Sequence, residues 1–181
     1  MGPLTKVPAP TLVIKYEGIF DFEGLYKTLV SWFIDQGYRF EERSIKQKVP
    51  SLAGTELEYI WFAWRRHNEY TKFCVDMIFK LYDAKDLDVI KDGKKKRLTK
   101  ARILCEFHGY LELDYSKRFG GNKFLQGLNK FLQYQILMKP MEGVIGSMWW
   151  DELYYRTLKL HAVIKEYLAL EAKGNAYFDM W

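Results

Sequence analysis

Hydrophobic and polar residues alternate through most of the stretch from Tyr70 to Tyr115, on both sides of an Asp92-Gly93 dipeptide. A period of two places the hydrophobic residues on one face of a β-sheet. They are Phe73, Val75, Met77, Phe79 and Leu81 before the dipeptide, and Ile103, Cys105, Phe107, Leu111 and Leu113 after it. Asp-Gly is typical of two-residue hairpin turns, because both central residues need a positive φ. The stretch therefore predicts three strands around a tight turn.

The middle of this stretch predicts a hairpin arm at the end of the sheet. Asp83 to Asp86 is polar and predicts a turn, after which Leu87 to Ile90 is expected to pair with Lys94 to Thr99. The arm is thin and polar on both sides, so we expect it to project beyond the sheet. Gly109, inside the last strand, predicts a bulge or bend that would let the strand curl around a helix.

The N-terminal part of the chain predicts a strand, a helix and two further strands. Thr11 to Phe20 is the first strand, and Asp21 is the N-cap of a helix that ends at Gly37, a C′ glycine. Tyr38 to Val49 is charged on both faces, which predicts an edge strand, since edge charges oppose unwanted pairing. Leu57 to Trp64 carries large residues at odd and even positions, which predicts a strand covered on both faces.

Two helix patterns close the chain. The first begins near Asn122, and its apolar stripe is Phe124, Leu125, Leu128, Phe131, Leu132 and Ile136. The second is capped by Ser147 and runs to about Ala172, before Gly174. Its apolar side is Trp149, Trp150, Leu153, Leu160, Ile164 and Leu168.

The order β-α-β-β-β-β-β-α-α predicts an α+β fold. We expect a curled antiparallel sheet of about five to six strands, packed by one N-terminal helix and two C-terminal helices. Nothing in the pattern divides the chain, so residues 1–181 are expected to form one domain. Residues 1–10 would be a flexible N-terminus and residues 175–181 an aromatic C-terminal tail.

The composition narrows the class of protein without indicating an activity. Hydrophobic residues make up 49% of the chain and aromatic residues 17%, a surplus that must lie in the core or at an interface. No apolar run reaches the about 18 residues of a membrane span, and residues 1–10 lack the apolar segment of a signal peptide. Cys74 and Cys105 fall on opposite strand faces, so we expect two free thiols in a reduced, cytoplasmic protein.

Candidate catalytic and metal-binding residues are scattered. The three histidines, none spaced as a metal pair, are His67, His108 and His161. The carboxylates that share the outer face of the last strand are Glu106, Glu112 and Asp114. Their pattern favours a solvated face with cationic partners over a catalytic pair. We therefore expect no catalytic residue, cofactor or metal, and a protein that is not an enzyme.

The hairpin arm is the first candidate site. Seven cations occur within its twelve residues 91–102: Lys91, Lys94, Lys95, Lys96, Arg97, Lys100 and Arg102. In a chain of net charge +5, such a patch suits RNA or another polyanion. The positive electrostatic potential of this patch is reduced by four nearby aspartates, Asp83, Asp86, Asp88 and Asp92. No aromatic residue interleaves with these lysines to stack on bases. A solubilising or edge-protecting hairpin is the alternative.

The aromatic residues of the last helix and tail are the second candidate site: Trp149, Trp150, Tyr154, Tyr155 and Trp181. Adjacent aromatics on a helix cannot all face one side, so some are exposed or covered by another chain unless they pack within the core or against the tail. The leading hypothesis is a non-enzymatic interaction or assembly protein that associates with itself or with another protein through these residues. Polyanion binding through residues 91–102 is the second hypothesis.

The chain also resembles two groups of proteins. A sheet wrapped around a long C-terminal helix resembles the helix-grip, START-like domains, and this resemblance implies a carrier of a small hydrophobic ligand. Bulky residues on both surfaces, such as Trp61, Phe73 and Phe107, favour a filled core instead. The stretches YEGIFDFEGLY, VIKDGKKKRLTK and WWDELYYRTLKL resemble uncharacterised small soluble proteins of archaea, and this second resemblance implies no activity.

Overall fold

The structure, a computed structural model, describes residues 6–48, 54–91, 94–116, 123–133 and 144–168. Within these ranges, residues 90, 91, 94–96, 132, 133 and 144–147 are described by their backbone alone. The described part of the chain is an α+β fold, in which six antiparallel strands form one open sheet accompanied by three helices. This confirms the predicted fold class.

The sheet is built around one long hairpin. The strands are β1 (Lys6–Pro8), β2 (Leu12–Phe20), β3 (Arg39–Gln47), β4 (Thr55–Arg66), β5 (Thr71–Lys91) and β6 (Lys94–Leu113). Their order across the sheet is β1-β6-β5-β4-β3, and β2 pairs with β6 further along the same edge as β1. The charged β3 lies at the opposite edge, as predicted. At about 3.3 Å per residue, β5 and β6 are each about 65 Å long.

The predicted turn at Asp83 to Asp86 is wrong, and with it the prediction of three strands between Tyr70 and Tyr115. The strand β5 continues through this segment as a bulge, with a register shift between Tyr82 and Lys85. Asp83 adopts a left-handed backbone with φ of 56°, a conformation that Asp tolerates better than most residues. A bulge and a turn favour the same small polar residues, so local composition did not separate them. Asp92 and Gly93, predicted as the tight turn, lie outside the described residues, between the paired Lys91 and Lys94.

The N-terminal segment takes part in the sheet, which corrects the prediction of a flexible stretch over residues 1–10. Lys6 to Pro8 pairs with Tyr110 to Glu112, and the Ala9 amide donates to the Gly109 carbonyl over 2.8 Å. Proline is accepted here because β1 is an edge strand, where one side of the backbone needs no ladder partner.

The first helix, α1 (Phe22–Asp35), has the predicted signals at both ends. The Asp21 carboxylate accepts a hydrogen bond from the Gly24 amide over 2.9 Å, as an N-cap does. Gly37 follows the helix with φ of 75°, the left-handed conformation expected of a C′ glycine. The helix buries Leu25, Leu29 and Phe33 against the sheet.

The last helix, α3 (Val144–Tyr167), lies on the same face of the sheet as α1 and is about 36 Å long at 1.5 Å per residue. It begins before Ser147, so the predicted cap at that residue is wrong, and Gly174 lies outside the described residues. Gly109 pairs in regular register with Val75, which also corrects the predicted bulge. A Cβ at residue 109 would lie 3.2 Å from Thr157 Cγ2, so this glycine lets α3 approach β6 closely.

Three of the residues predicted to form the apolar stripe of the remaining helix, α2 (Lys123–Gln133), are exposed, whereas Leu125 is half-buried and Ile136 lies outside the described residues. Phe124 is 76% exposed, and Leu128 and Phe131 are exposed as well. Among the side chains of α2 that the structure describes, the buried one is Asn129, whose Oδ1 accepts from the Tyr70 hydroxyl over 2.6 Å and whose Nδ2 donates to the Asp114 carboxylate over 3.4 Å. Tyr70 and Asp114, at the end of the sheet, thus decide which side of α2 faces inward, because the buried Asn129 requires polar partners.

The core fills the space between the sheet and the two packed helices. The strand residues predicted to face it are buried, and Phe73, Met77, Phe79, Cys105, Phe107 and Leu111 have no exposed surface. From α3, Leu153, Leu160 and Ile164 close the core as predicted.

Candidate polyanion-binding face

We call the side of the sheet opposite α1 and α3 the outer face. Strand residues reach it at the positions that alternate with the core residues. Its cations among the described side chains are Lys6, Lys15, Arg39, Arg43, Lys46, Lys48, Arg66, Lys72, Lys80, Lys85, Lys100 and Arg102. Its carboxylates are Glu17, Glu41, Glu56, Glu58, Asp76, Glu106 and Glu112, with Asp83 at the bulge. Cations therefore outnumber carboxylates on this face.

The hairpin beyond the bulge consists of residues 85–91 and 94–100, and all of it except Thr99 and Lys100, which pair with β2, extends past the flanking strands. Pairing of β4 with β5 ends at Ala84, and pairing of β2 with β6 ends at Thr99. The hairpin therefore projects beyond the sheet, as expected from the sequence. Its outer face continues that of the sheet, because the pair Lys85–Lys100 follows Tyr82–Arg102 on the same side.

The strand register separates the charges of this hairpin. One side carries the pairs Lys85–Lys100, Leu87–Leu98, Val89–Lys96 and Lys91–Lys94, which form the outer face. The other side carries Asp86–Thr99, Asp88–Arg97 and Ile90–Lys95. Asp86 and Asp88, which the sequence predicts to weaken the basic patch, thus lie on the side of the hairpin that faces away from most of its lysines. Beyond the bulge, the described register places no carboxylate on the outer face.

The seven predicted polyanion-binding residues therefore fall into two groups. Lys91, Lys94, Lys96, Lys100 and Arg102 belong to the outer face, whereas Lys95 and Arg97 belong to the other side. Arg97 forms an ion pair with Asp86, and Arg102 donates to Asp83 over 2.5 Å. Lys100 is exposed.

Sequence reasoning missed the aromatic residues of the outer face. Phe62, Trp64, Tyr110 and Tyr82 alternate with core residues of β4, β6 and β5, and each lies beside a cation. The Lys72 ammonium is 4.9 Å from the Trp64 ring centroid, and the Lys6 ammonium is 4.5 Å from that of Tyr110. Large residues at odd and even positions of β4 are the signal, and they predict burial on both faces, which Trp61 on one face and Phe62 on the other confirm. On the outer face, cationic side chains cover these aromatic rings.

Two open depressions meet at Tyr82, where the hairpin joins the sheet. One, of about 420 Å³, is lined by Lys46, Lys48, Glu56, Leu57, Glu58, Lys80, Leu81 and Tyr82. The other, of about 410 Å³, is lined by Lys15, Tyr16, Glu17, Tyr82, Arg102, Ile103 and Leu104. Five cations therefore surround this tyrosine, three on one side and two on the other.

The two cysteines lie on opposite faces and are both free thiols, as predicted. Burial raises the pKa of the Cys74 thiol to about 12, and burial also raises the pKa of Cys105. Both thiols are therefore protonated at neutral pH, the form that is a poor nucleophile and a poor metal ligand.

The predicted interface aromatics of α3 contact their own chain. The Trp150 indole donates to the Pro8 carbonyl over 3.0 Å, and its ring stacks on Tyr154 at 5.4 Å between centroids. Trp149 lies 5.5 Å from the His67 ring, and Tyr155 is partly exposed beside Tyr154. Trp181, the fifth predicted interface residue, lies outside the described residues.

A polar cluster joins the end of α1 to β4 and α3. Arg65 donates to the Gln36 carbonyl over 3.1 Å and to Glu152 over 3.2 Å. Arg156 donates to the same Glu152 carboxylate over 2.9 Å. His67 Nδ1 lies 3.6 Å from Glu152, and burial lowers the pKa of this imidazole despite the nearby carboxylate. The cluster satisfies the C-terminal end of α1 and fixes it to α3.

Other kinds of site are not assembled in the described ranges. No group of three or more His, Cys, Asp or Glu side chains there is placed to hold a metal ion. Within the same ranges, no helix is both long enough and apolar enough to cross a membrane. Comparison of the chain with protein-family models and with curated proteins finds no match.

Proposed function

We propose that the protein is a non-enzymatic binding protein whose outer face and projecting hairpin bind polyanions. The observation that carries the proposal is the register of the hairpin, which collects lysines on one side and places Asp86 and Asp88 on the other. A row of cations without interspersed carboxylates concentrates positive potential, which attracts phosphate chains and displaces their counterions.

The exposed ion pairs of the outer face leave its cations available to such a ligand. Lys46 lies 2.9 Å from Glu58, and the two side chains are 65% and 29% exposed. Pairs of this kind contribute only about 0–1 kcal/mol, because solvent already stabilises both charges. A phosphate therefore competes for these lysines at little cost.

The proposal is tested with a variant and a charge-matched control. The outer-face variant replaces Lys85, Lys96 and Lys100 by Ala, and the control replaces Lys27, Lys130 and Lys159, which are exposed on the three helices. Binding of mixed RNA is measured by fluorescence anisotropy between about 50 and 200 mM salt. We expect the outer-face variant to bind more weakly and to reduce the salt slope by up to about 2, at about 0.7 per lost phosphate contact. Equal loss in the control, or no RNA binding by the wild-type protein at the lowest salt, contradicts the proposal.

Assembly through the helices is a second candidate function, which the exposed apolar residues of α2 and α3 favour. Leu128 and Phe131 are 39% and 57% exposed on α2, and Met148 is 59% exposed on α3. Tyr155 of the predicted interface lies on the same helix as Met148. Light scattering of the wild type and of a Phe131→Ser, Met148→Ser variant tests this candidate. A wild type that remains monomeric at concentrations of tens of micromolar excludes self-association as the function.

The filled core gives no support to the third hypothesis, a carrier of small hydrophobic ligands. Phe73, Phe79 and Phe107 occupy the space where such a ligand would lie, and all three are fully buried. Ligand sites need about 300 Å³ or more of free space, whereas packed interiors leave few voids larger than a water molecule.

A further inference from the structure

Tyr82 lies on the outer face at the junction between the sheet and the projecting hairpin. It is the last residue of β5 before the bulge and lies opposite Arg102 of β6, at the base of the projecting hairpin. Its ring is partly exposed and forms the shared wall of the two depressions described above. A flat aromatic surface therefore lies where the cations of the sheet meet those of the hairpin.

Arg102 lies beside this ring. Its guanidinium carbon lies 5.8 Å from the Tyr82 ring centroid. Its Nε and one terminal nitrogen both donate to the carboxylate of Asp83, the bulge residue with the left-handed backbone, over 3.0 and 2.5 Å. The bulge thus places an arginine next to the tyrosine. Because both partners of this ion pair are exposed, the guanidinium can exchange Asp83 for a phosphate at little cost.

Cations flank the ring on both sides. Lys80 and Lys15 line the two depressions, and neither forms an ion pair with another residue in the described ranges. Lys46 and Lys48 line the first depression and are paired with exposed glutamates. The depressions also contain Glu56 and Glu58 on one side of the ring and Glu17 on the other, so cations outnumber carboxylates by one on each side. A ligand that crosses Tyr82 would therefore meet a net positive charge before and after the ring.

This combination matches one class of polyanion. Proteins bind single-stranded nucleic acid by pairing cations that follow the backbone with aromatic rings on which bases stack. A duplex keeps its bases stacked within the helix and offers no free base face. The carboxylate side chains of an acidic polypeptide supply charge but no flat ring to stack. We propose that the outer face binds single-stranded nucleic acid with one base stacked on Tyr82 and the adjacent phosphates on Lys15, Lys80 and Arg102. The inference rests on the proposed polyanion-binding function and names its ligand class.

Three probes distinguish this ligand from other polyanions. The first probe is a labelled oligouridylate of 20 nucleotides, which supplies phosphates and single-stranded bases. The second is an RNA duplex of equal length, which supplies phosphates without free base faces. The third is polyglutamate, which supplies negative charge alone. Removal of one stacked base costs about 5- to 150-fold in affinity. We expect Tyr82→Ala to weaken oligouridylate binding by that factor and to change duplex and polyglutamate binding by less than about twofold.

Conservative variants separate stacking from folding. Tyr82→Phe keeps the ring and should bind oligouridylate like the wild type, whereas Tyr82→Leu keeps an apolar strand residue without a flat ring and should bind like the alanine variant. Circular dichroism melts confirm that each variant is folded. Tyr155→Ala, on the helix side of the sheet, is the matched control and should bind all three probes normally.

The outcomes separate the inference from the function on which it rests. If the wild type binds the probes but Tyr82→Leu binds oligouridylate normally, or loses all three probes equally, the stacking inference is overturned and polyanion binding stands. If the wild type binds none of the probes at about 50 mM salt, where phosphate contacts are strongest, both fail. Stronger binding to polyglutamate than to oligouridylate would instead assign the face to an acidic protein.

Discussion

Arg43 lies over the ring of Phe62, with its guanidinium carbon 3.7 Å from the ring centroid and one terminal nitrogen 3.0 Å from Asp76. The arginine comes from the bulge between Glu42 and Ser44 of the edge strand β3. It reaches across β4 to β5 and leaves Phe62 only 9% exposed. The edge strand thus covers aromatic surface on the side of the sheet that α1 and α3 leave open.

Truncation of Arg43 should therefore destabilise the fold although the residue is largely exposed. An exposed cation–π contact contributes about 0.5–1 kcal/mol and a surface ion pair about 0–1 kcal/mol. We expect Arg43→Ala to lower the free energy of unfolding by about 1 kcal/mol, and Arg43→Lys by less, since lysine keeps the charge without the planar group. Urea denaturation followed by tryptophan fluorescence measures both. Lys27→Ala, which removes an exposed ion pair on α1, is the control and should cost less than about 0.5 kcal/mol.

The contact of Gly109 with α3 predicts a coupled pair of substitutions. A Cβ at residue 109 would meet the Thr157 methyl at 3.2 Å, so Gly109→Ala should destabilise by about 1–3 kcal/mol through overpacking. Thr157→Ser removes that methyl and keeps the hydroxyl that bonds to the Leu153 and Tyr154 carbonyls. The double variant should therefore recover part of the loss, as a double-mutant cycle would show.

A second glycine provides the control for this cycle. Gly127 lies inside α2 with no atom within 4 Å of where its Cβ would be. Gly127→Ala should therefore stabilise by about 0.5–1 kcal/mol, the usual gain in a helix interior. Additive effects of Gly109→Ala and Thr157→Ser would show that the two side chains do not meet.

Asn129 should matter more to stability than the exposed phenylalanine of the same helix. Asn129→Ala leaves the Tyr70 hydroxyl without this acceptor, at a cost of about 1–3 kcal/mol for a buried polar group. Phe131→Ser changes an exposed residue and should cost less than about 0.5 kcal/mol. Thermal unfolding of both variants compares them. The reverse order would show that α2 docks through its apolar stripe.

Two partly buried imidazoles predict lower stability in mild acid. Burial lowers the pKa of His161, which donates to the Val13 carbonyl over 3.3 Å and lies near Lys165, and burial also lowers the pKa of His67. In the unfolded chain histidine titrates near 6.5, so the folded state binds fewer protons below that pH. Stability should be complete above about pH 6.5 and should fall as the pH decreases toward the folded-state pKa values.

Chemical denaturation between pH 7.5 and 5.5 measures this dependence. We expect His161→Gln and His67→Gln each to flatten it. Their effects should add, because Trp149, the contact of His67, precedes His161 by about 18 Å along α3. An unchanged pH dependence in the double variant would falsify the assignment.

Local signals account for what the sequence predicted correctly. Each of these signals depends on a few neighbouring residues. They are the alternation of apolar residues in β5 and β6, the N-cap Asp21 and the C′ glycine Gly37, and the structure contains all three. Errors arose where one local pattern has two physical causes. Gly109 fits a bulge or a close helix approach, and only the position of Thr157 decides between them.

For the same reason, the sequence predicted the lysines of the candidate site but neither their separation from the aspartates nor the position of Tyr82. The lysines of residues 91–102 are dense enough to be noticed, but their separation from Asp86 and Asp88 follows from the register shift at Asp83. The role of Tyr82 depends on strands that are distant in sequence, since three of the five cations around it lie on β2 (Lys15), on β3 (Lys46) and directly after β3 (Lys48). No local pattern indicates such a cluster.

The projecting hairpin has a further consequence for how molecules of this protein meet one another. Beyond Ala84 and Thr99, the described strands β5 and β6 pair only with each other, so the ribbon has two open edges with backbone groups available for an added strand. Lysine side chains along such edges oppose strand addition by repulsion between copies. If the outer face binds nucleic acid as proposed, the phosphates would neutralise that repulsion. Molecules crowded on a long strand would then make edge-to-edge contact between neighbouring ribbons, and the length of the ribbon would set the spacing between them.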